Sequence, residues 1–300
     1  MKKAFTLALS MAAAVLMLVL LSYCGSDNDG NSDTCPAKCG EGKQCCADCP
    51  CETGTCNMDT GMCETGGDCC PDAPSGEVQI DVDGNVIDFT NQQGVAAWVG
   101  AVKPLDALSG NPTPIANGTA DSSGAFHLDC MNVADSAFGL VVVSDDNPPD
   151  QTGGTYYPTG TGVIGWSNPA AEAHCVDGAK VFAVPNTLVA GLEQGLQINP
   201  DQDGFVVGLV VDTNGTPVEG AVVKKATGDA LDNVVYPAAD FSTFDGTLTS
   251  ASGVFILKGP ISSITAITAE KSGMTFDSTQ VATSGGFCLV AIIQEAEAAP

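Results

Sequence analysis

The stretch GLVVDTNGTPVEGAVV, residues 208–223, decides the fold of the C-terminal half of the chain. Its two short apolar runs are separated by NGTP, residues 214–217, a turn sequence in which glycine can adopt positive φ and proline needs no ladder hydrogen bond. Short apolar runs punctuated in this way are typical of a β-sandwich. The same pattern continues from Gly76 onward, and the main runs are 95–102, 139–143, 205–211, 221–223, 264–269 and 287–293.

An earlier part of the chain repeats this pattern. The corresponding segments, in the same order, are 84–88 and 208–212, 100–102 and 220–222, and 119–126 and 249–255. In both copies a Ser-Gly turn precedes a phenylalanine, Phe126 or Phe255, which we predict to be the first buried residue of the next strand, at a gain of roughly 1.5–3 kcal/mol. The repeat predicts two copies of one module that fold as autonomous sandwiches.

The motif GxVxDxxGxPVxGAxV at 208–223, followed by SGxF at 252–255, resembles the carboxypeptidase regulatory-like domain family. The resemblance covers about residues 204–294 and implies a transthyretin-like, seven-stranded β-sandwich. The first copy, 77–184, has Asn91-Gln92-Gln93 in place of the Gly-x-Pro turn and is predicted to be a divergent relative. Members of this family often accompany catalytic or transport domains, and the lack of a recognisable one in this sequence favours display or adhesion.

One segment has helical periodicity. Leu188, Leu192 and Leu196 recur at intervals of four between Pro185 and Pro200, which predicts a short helix within a linker at 185–203. The expected fold class is therefore all-β: two tandem transthyretin-like or Ig-like β-sandwiches, preceded by a small disulfide-rich segment.

The N-terminus has the layout of a bacterial secretory signal peptide, residues 1–23, with Lys2 and Lys3 before the apolar run 12–21. The sequence LSYC, residues 21–24, resembles a lipobox, and Cys24 would then be the acylated first residue, followed by a polar tether, 24–34. The resemblance implies a lipid-anchored, extracytoplasmic protein on the outer membrane or cell surface. Tyr23 replaces the usual small residue, and the alternative is an uncleaved membrane helix with an incidental Cys24.

A cysteine-rich segment, 35–72, contains almost no large apolar residue, so burial alone cannot offset its chain entropy. In an exported protein such cysteines are expected to form disulfides, while the alternative is zinc binding at Cys46-x-x-Cys49. The disulfide candidates in this segment are Cys35, Cys39, Cys45, Cys46, Cys49, Cys51, Cys56, Cys63, Cys69 and Cys70. In the first sandwich Cys130 and Cys175 could pair, which leaves Cys288 as an expected buried thiol.

The charge excludes one class of partner. The chain has 36 acidic residues against 10 basic ones, a formal net charge of -26. Such a surface repels phosphate backbones, so nucleic-acid binding is not expected, and solubility outside the cell is its simplest explanation. Apart from the membrane reached through the lipid anchor, the expected partner is an unidentified protein or glycan.

Candidate binding residues are few. Tyr156, Tyr157 and Trp166 could form an aromatic strip of the kind that contacts glycans, which makes a glycan-binding accessory protein the alternative function. Asp201 and Asp203 could stabilise the linker by binding calcium, although a solvated turn explains them as well. No other metal site and no cofactor is expected.

Catalytic patterns are absent from the sequence. The two histidines, His127 and His174, have no nucleophile elbow to act on, and His127 is expected to face solvent beside a core position. The string GTGVIG at 160–165 precedes no helix, so it is not a dinucleotide site. The transthyretin-like fold is also used by iron dioxygenases, but the closely spaced histidine pair of those enzymes is missing from this sequence. A non-enzymatic protein is therefore predicted, and a hydrolase or oxidoreductase with an unrecognised site is the remaining alternative.

Overall fold

The computed structural model describes residues 55–57, 62–64, 70, 78–109, 113–136, 139–149, 153–164 and 174–297. The predicted signal peptide, the tether with Cys24 and most of the cysteine-rich segment lie outside the described residues. The chain divides into two compact units, Met1–Gly67 and Asp68–Pro300. In the first unit, strands β1 (Thr55–Asn57) and β2 (Met62–Glu64) form an antiparallel pair.

The second unit is built almost wholly of strands. In its first half these are β3 (Gln79–Asp88), β4 (Ala97–Val102), β5 (Ala116–Ala120), β6 (Ala125–Asn132), β7 (Leu140–Asp145), β8 (Tyr156–Tyr157), β9 (Thr159–Ile164) and β10 (His174–Pro185), with a one-turn helix α1 (Pro104–Ala107). In its second half they are α2 (Asn186–Leu196), α3 (Pro200–Asp203), β11 (Phe205–Val211), β12 (Val222–Lys225), β13 (Val234–Val235), β14 (Val254–Lys258), β15 (Thr265–Glu270), β16 (Thr279–Val281) and β17 (Cys288–Gln294). Each of the six apolar runs contains a strand, so the all-β prediction is confirmed.

The two halves share one connectivity. In the first half β3 lies between an antiparallel β6 and a parallel β10, and in the second half β11 lies between an antiparallel β14 and a parallel β17. The opposing layers correspond as well, because β4, β7 and β9 form the same antiparallel ladder as β12, β15 and β16. The internal repeat predicted from the sequence is therefore confirmed. The second copy has seven strands, of which four belong to a larger sheet and three form the sheet β12-β15-β16.

The repeated Ser-Gly-x-Phe motif has the same role in both copies. Gly124 and Gly253 both have positive φ, at 87° and 67°, and their carbonyls accept hydrogen bonds from the first strand of their own copy. Phe126 and Phe255 are buried in the two cores. Each ring lies opposite a glycine of the neighbouring strand, Gly84 or Gly208, and a Cβ at either position would overlap the ring.

The copies are joined edge to edge through their backbones. Strand β17 of the second copy pairs in parallel with β9 of the first, which produces one eight-stranded sheet with the order β13-β14-β11-β17-β9-β7-β4-β5. The sequence did not predict this junction. Ladder hydrogen bonds between β17 and β9 satisfy backbone groups of both copies, so the two sandwiches share one sheet.

Among the described residues, four apolar clusters hold this arrangement together, the smallest of which joins Val141 of the first copy to Phe287 of the second. One fills the first sandwich and one the second. The third lies between the copies, where Leu192 of α2 and Phe182 of β10 pack on Phe205 and Val207 of β11. Their neighbour Val206 points to the core of the second sandwich. Strand β11 is thus buried on both faces, which explains its continuous apolar sequence.

Helix α2 forms where the leucine periodicity predicts it. Pro185 has an extended conformation at its start, and Gln197 ends it in the left-handed region with φ 54°. Val189 and Leu192 are buried in the core between the copies, so the helix covers one face of the large sheet rather than serving as a solvated connection. Among the described residues, no helix has the length and apolar character needed to cross a bilayer.

Candidate functional site

A cluster of acidic side chains and one histidine lies on the outer face of the four-stranded sheet β6-β3-β10-β8. On β3, Ile80 and Val82 point into the first core, so Asp81 and Asp83 point outward by strand alternation. His127 lies opposite Asp83 in the ladder between β3 and β6. His127 is half exposed and follows the buried Phe126, so its predicted position, facing solvent beside a core residue, is confirmed.

The imidazole of His127 lies between two carboxylates. Its Nδ1 is 3.1 Å from Oδ1 of Asp83, within hydrogen-bonding distance, and its Nε2 is 3.7 Å from Oδ2 of Asp81. The side chains of His127 and Asp83 are about half exposed, at 53% and 54%, whereas that of Asp81 is only 11% exposed. One member of the cluster is thus almost removed from water.

The environment of Asp81 raises the pKa of its carboxyl group above the usual value, and burial is the largest cause. The nearby His127 acts in the opposite direction, while the carboxylates of Asp83 and Asp129 raise the pKa further. A backbone hydrogen bond from Cys130 partly offsets them. The cluster therefore concentrates negative charge around a poorly hydrated carboxylate, which makes it a place where a cation would be stabilised.

Two of the predicted glycan-contact residues, Tyr156 and Tyr157, do not lie side by side on one face. Tyr156 and Tyr157 are successive residues of β8, so they point to opposite faces. Tyr157 is buried at 7% exposure, where its ring packs on Phe205 at a centroid distance of 5.9 Å. It is therefore not a surface contact, which corrects the prediction for this residue. Trp166 lies outside the described residues.

Both phenols are held by carboxylates. The hydroxyl of Tyr156 donates to Asp88 over 3.3 Å, and that of Tyr157 donates to Asp201 over 3.4 Å. Burial, with these carboxylates as the next cause, raises the pKa of Tyr156 to about 12 and also raises that of Tyr157.

Between pH 10.0 and about pH 12, Tyr156 is expected to keep the phenol proton that an ordinary tyrosine has lost. Because the pKa is raised from 10.0 to about 12, its contribution to stability is complete below pH 10 and is lost as the pH rises towards about 12. Tyrosinate absorbance measured during an alkaline titration of the native protein will show a late-titrating phenol that is missing from Tyr156→Phe. An unchanged titration in that variant would contradict this assignment.

The two calcium candidates, Asp201 and Asp203, both lie in the one-turn helix α3. Asp201 accepts the hydrogen bond from Tyr157, and Asp203 ends α3. Within the described residues, neither belongs to a group of three acidic, histidine or cysteine side chains close enough to share an ion. The solvated-turn interpretation accounts for both residues without calcium.

The cysteines pair differently from the sequence expectation. Cys130 forms a disulfide with Cys70, at a Cα–Cα distance of 5.4 Å, and not with Cys175, which is itself disulfide-bonded. Sequence proximity in one sandwich was therefore a poor guide, because Cys70 lies outside the strands and reaches β6 only in the folded chain. Cys288 is a free, fully buried thiol, as predicted, and burial raises its pKa.

A groove of about 520 Å³ is lined in part by residues of the eight-stranded sheet. The residues that line it include Val141, Val163 and Leu289, together with Ser278, Thr279 and Gln280. The volume falls within the usual range for ligand pockets, about 300–1,000 Å³. None of the described residues that line it carries a titratable side chain.

Comparisons with known proteins identify no family. No family model matches the chain, and no curated protein matches it either. Among solved structures, the TIE protein of Bacillus anthracis is 9% identical with a TM-score of 0.23, over 73% of this chain and 34% of that one. This chain therefore spans about a third of the length of that protein.

Two pilins are similarly distant. The shaft pilin SpaA from Lactobacillus rhamnosus GG is 11% identical with a TM-score of 0.20, over 75% of this chain and 100% of that one. GBS52, the minor pilin of Streptococcus agalactiae, is 12% identical with a TM-score of 0.22, over 74% and 99%. At such low identity and TM-score, these similarities assign neither a family nor a function.

Proposed function

We propose that the chain is a non-catalytic, membrane-anchored envelope lipoprotein that holds a rigid body away from a membrane and presents its surface for adhesion or display. In this proposal Cys24 carries the lipid, the cysteine-rich segment acts as a cross-linked spacer, and the two joined sandwiches are the presented body. The observation that carries it is the continuous eight-stranded sheet.

That sheet supports a mechanical role. Two sandwiches joined by a flexible linker would bend about the linker, whereas ladder hydrogen bonds between β17 and β9 oppose bending at the junction. The core that contains Leu192, Phe182 and Phe205 fills the junction on one side of the sheet. A body of this kind keeps a fixed length and orientation, which suits a spacer.

The disulfides support the proposed location outside the cytoplasm. Cys70 and Cys130 are paired, and Cys175 is bonded as well. Structural disulfides persist in oxidising compartments and are rare in the cytosol. Together with a leader of secretory layout and the LSYC sequence at 21–24, they support export followed by lipidation.

The described chemistry supports a non-enzymatic role. The described partners of His127 are the carboxylates Asp81 and Asp83, and not a hydroxyl or thiol that it could activate. The free thiol Cys288 is fully buried with a raised pKa, so it is a poor nucleophile.

Intact-mass measurement of the protein isolated from bacterial membranes tests this proposal. The expected product begins at Cys24, carries added acyl mass and is lighter by one pair of hydrogens for each disulfide. A matched Cys24→Ser variant should lose the acyl mass and leave the membrane fraction. Recovery of the wild-type chain from the cytosol, reduced and at full length, would contradict the proposal.

A further inference from the structure

Strand β16 has an open edge that borders the groove of about 520 Å³. It is the last strand of the sheet β12-β15-β16, and among the described strands it pairs with β15 only. Five successive residues, 278–282, line the groove. A strand face would contribute alternate residues, so the groove runs along the edge of β16. Such an edge presents a row of backbone N–H and C=O groups that can pair with another strand.

Strand β9 contributes a second open edge to the same groove. Its parallel pairing with β17 ends at Thr161, and the three residues that follow, Gly162, Val163 and Ile164, all line the groove. A Cβ added at Gly162 would meet nothing within 4 Å, so this wall is open. The groove is therefore bordered by one strand edge from each copy of the module.

The internal repeat shows what covers an edge of this kind. Strands β9 and β16 are equivalent, because each is the third strand of the ladder β4-β7-β9 or β12-β15-β16. In the first copy, the edge of β9 that faces away from β7 pairs with β17. In the second copy, the described chain supplies no such strand to β16. The repeat therefore points to an extended chain segment as the occupant, rather than a compact ligand.

The lining decides the chemistry of that segment. The described residues that line the groove carry no charge, and Val141, Leu289 and Ile292 are among them. A charged side chain placed there would lose its hydration without gaining a partner. A second copy of this chain fits less well. Its described strands are already held in sheets, and two chains of net charge -26 repel each other.

We propose that this groove binds an extended, uncharged segment of a partner protein by β-strand addition. The segment pairs through its backbone with β16 and lays small aliphatic or hydroxyl side chains against the groove. At about 3.3 Å per residue, the edge at 278–282 offers roughly 16 Å of ladder, enough for about five or six residues. The groove lies within the two sandwiches, so this proposal does not rest on the lipid anchor or on location in the envelope.

The test is binding of a fluorescein-labelled, end-capped hexapeptide of alternating threonine and valine to the full chain, isolated with its disulfides intact. Fluorescence anisotropy is expected to show saturable binding of one peptide per chain. Two further peptides carry N-methyl groups on one or the other set of alternate amides, which removes those N–H donors and keeps the side chains. At least one of them should bind about tenfold or more weakly, because its ladder bonds to β16 are lost.

Gly162→Leu places a side chain in the groove from the β9 side and should weaken binding of the hexapeptide by about tenfold or more. The matched control is Gly191→Leu on α2, where an added Cβ also meets nothing within 4 Å. Gly191 lies outside the groove, so this variant should bind like the wild type. Far-UV circular dichroism verifies that both variants fold.

Three results would each overturn the proposal: no binding of the hexapeptide, equal binding by Gly162→Leu, or equal binding of all three peptides. The last of these would mean that the groove recognises apolar side chains without strand pairing. Sedimentation of the free protein covers the remaining occupant. A dimer that the hexapeptide dissociates would show that a second copy fills the groove, which also contradicts a partner segment.

Discussion

Replacement of Phe255 by alanine is expected to lower the free energy of unfolding by about 3–5 kcal/mol, the usual cost of removing a buried phenylalanine ring. Phe255 is fully buried in the second core and lies opposite Gly208, which has no side chain to fill the resulting space. Denaturant unfolding followed by far-UV circular dichroism measures the loss. Leu248→Ala is the matched control, because Leu248 is 44% exposed, and a change within about 0.5 kcal/mol is expected there.

The same variant tests whether the two copies unfold together. Both tryptophans, Trp98 and Trp166, belong to the first half, so their fluorescence reports on the copy that does not carry the substitution. Because β9 and β17 share a ladder, the fluorescence transition of Phe255→Ala should move to lower denaturant together with the circular dichroism transition. A fluorescence transition that stays at the wild-type midpoint would show that the copies are independent.

Removal of the disulfide in a Cys70→Ala/Cys130→Ala double variant is expected to destabilise the second unit by about 4 kcal/mol. The bond closes a loop with a sequence separation of 60 residues, so the unfolded chain regains considerable freedom without it. Replacing both cysteines leaves no new thiol that could exchange with other disulfides. Unfolding midpoints under non-reducing conditions measure the effect.

Disulfide mapping of that double variant is the control, since all other pairings must match those of the wild type. A loss below about 1 kcal/mol would mean that the segment at Cys70 gains little from its covalent link to β6. Cys70 itself is 1% exposed, and packing alone would then be sufficient to hold it.

Much of the fold could be read from local patterns. Strands β11 and β17 fall on uninterrupted apolar runs, and the Ser-Gly turns before Phe126 and Phe255 mark equivalent strand starts in the two copies. These features depend on neighbouring residues: glycine permits the turn, and alternation decides which side chain is buried. The internal repeat was visible for the same reason, because each copy must satisfy identical local constraints.

The pairing of cysteines was beyond such reasoning, whereas the separation of the tyrosines follows from strand alternation once β8 is established. Cys130 could have been joined to several other cysteines, and only the folded path of the chain brings Cys70 to it. Tyr156 and Tyr157 were grouped because they are aromatic and adjacent. On a strand, adjacency places them on opposite faces, and Tyr157 is consequently buried against Phe205.

The residue order was thus sufficient for the all-β class, the repeated module, the helix at 186–196 and the outward position of His127. The joining of β9 to β17, and the approach of His127 to Asp81 and Asp83, come from contacts between distant segments. Such contacts depend on which strand edges meet and in which register, and a one-residue shift would move each of these side chains to the other face. Local propensity carries no information about that choice, because it is made by burial and backbone pairing across the whole unit.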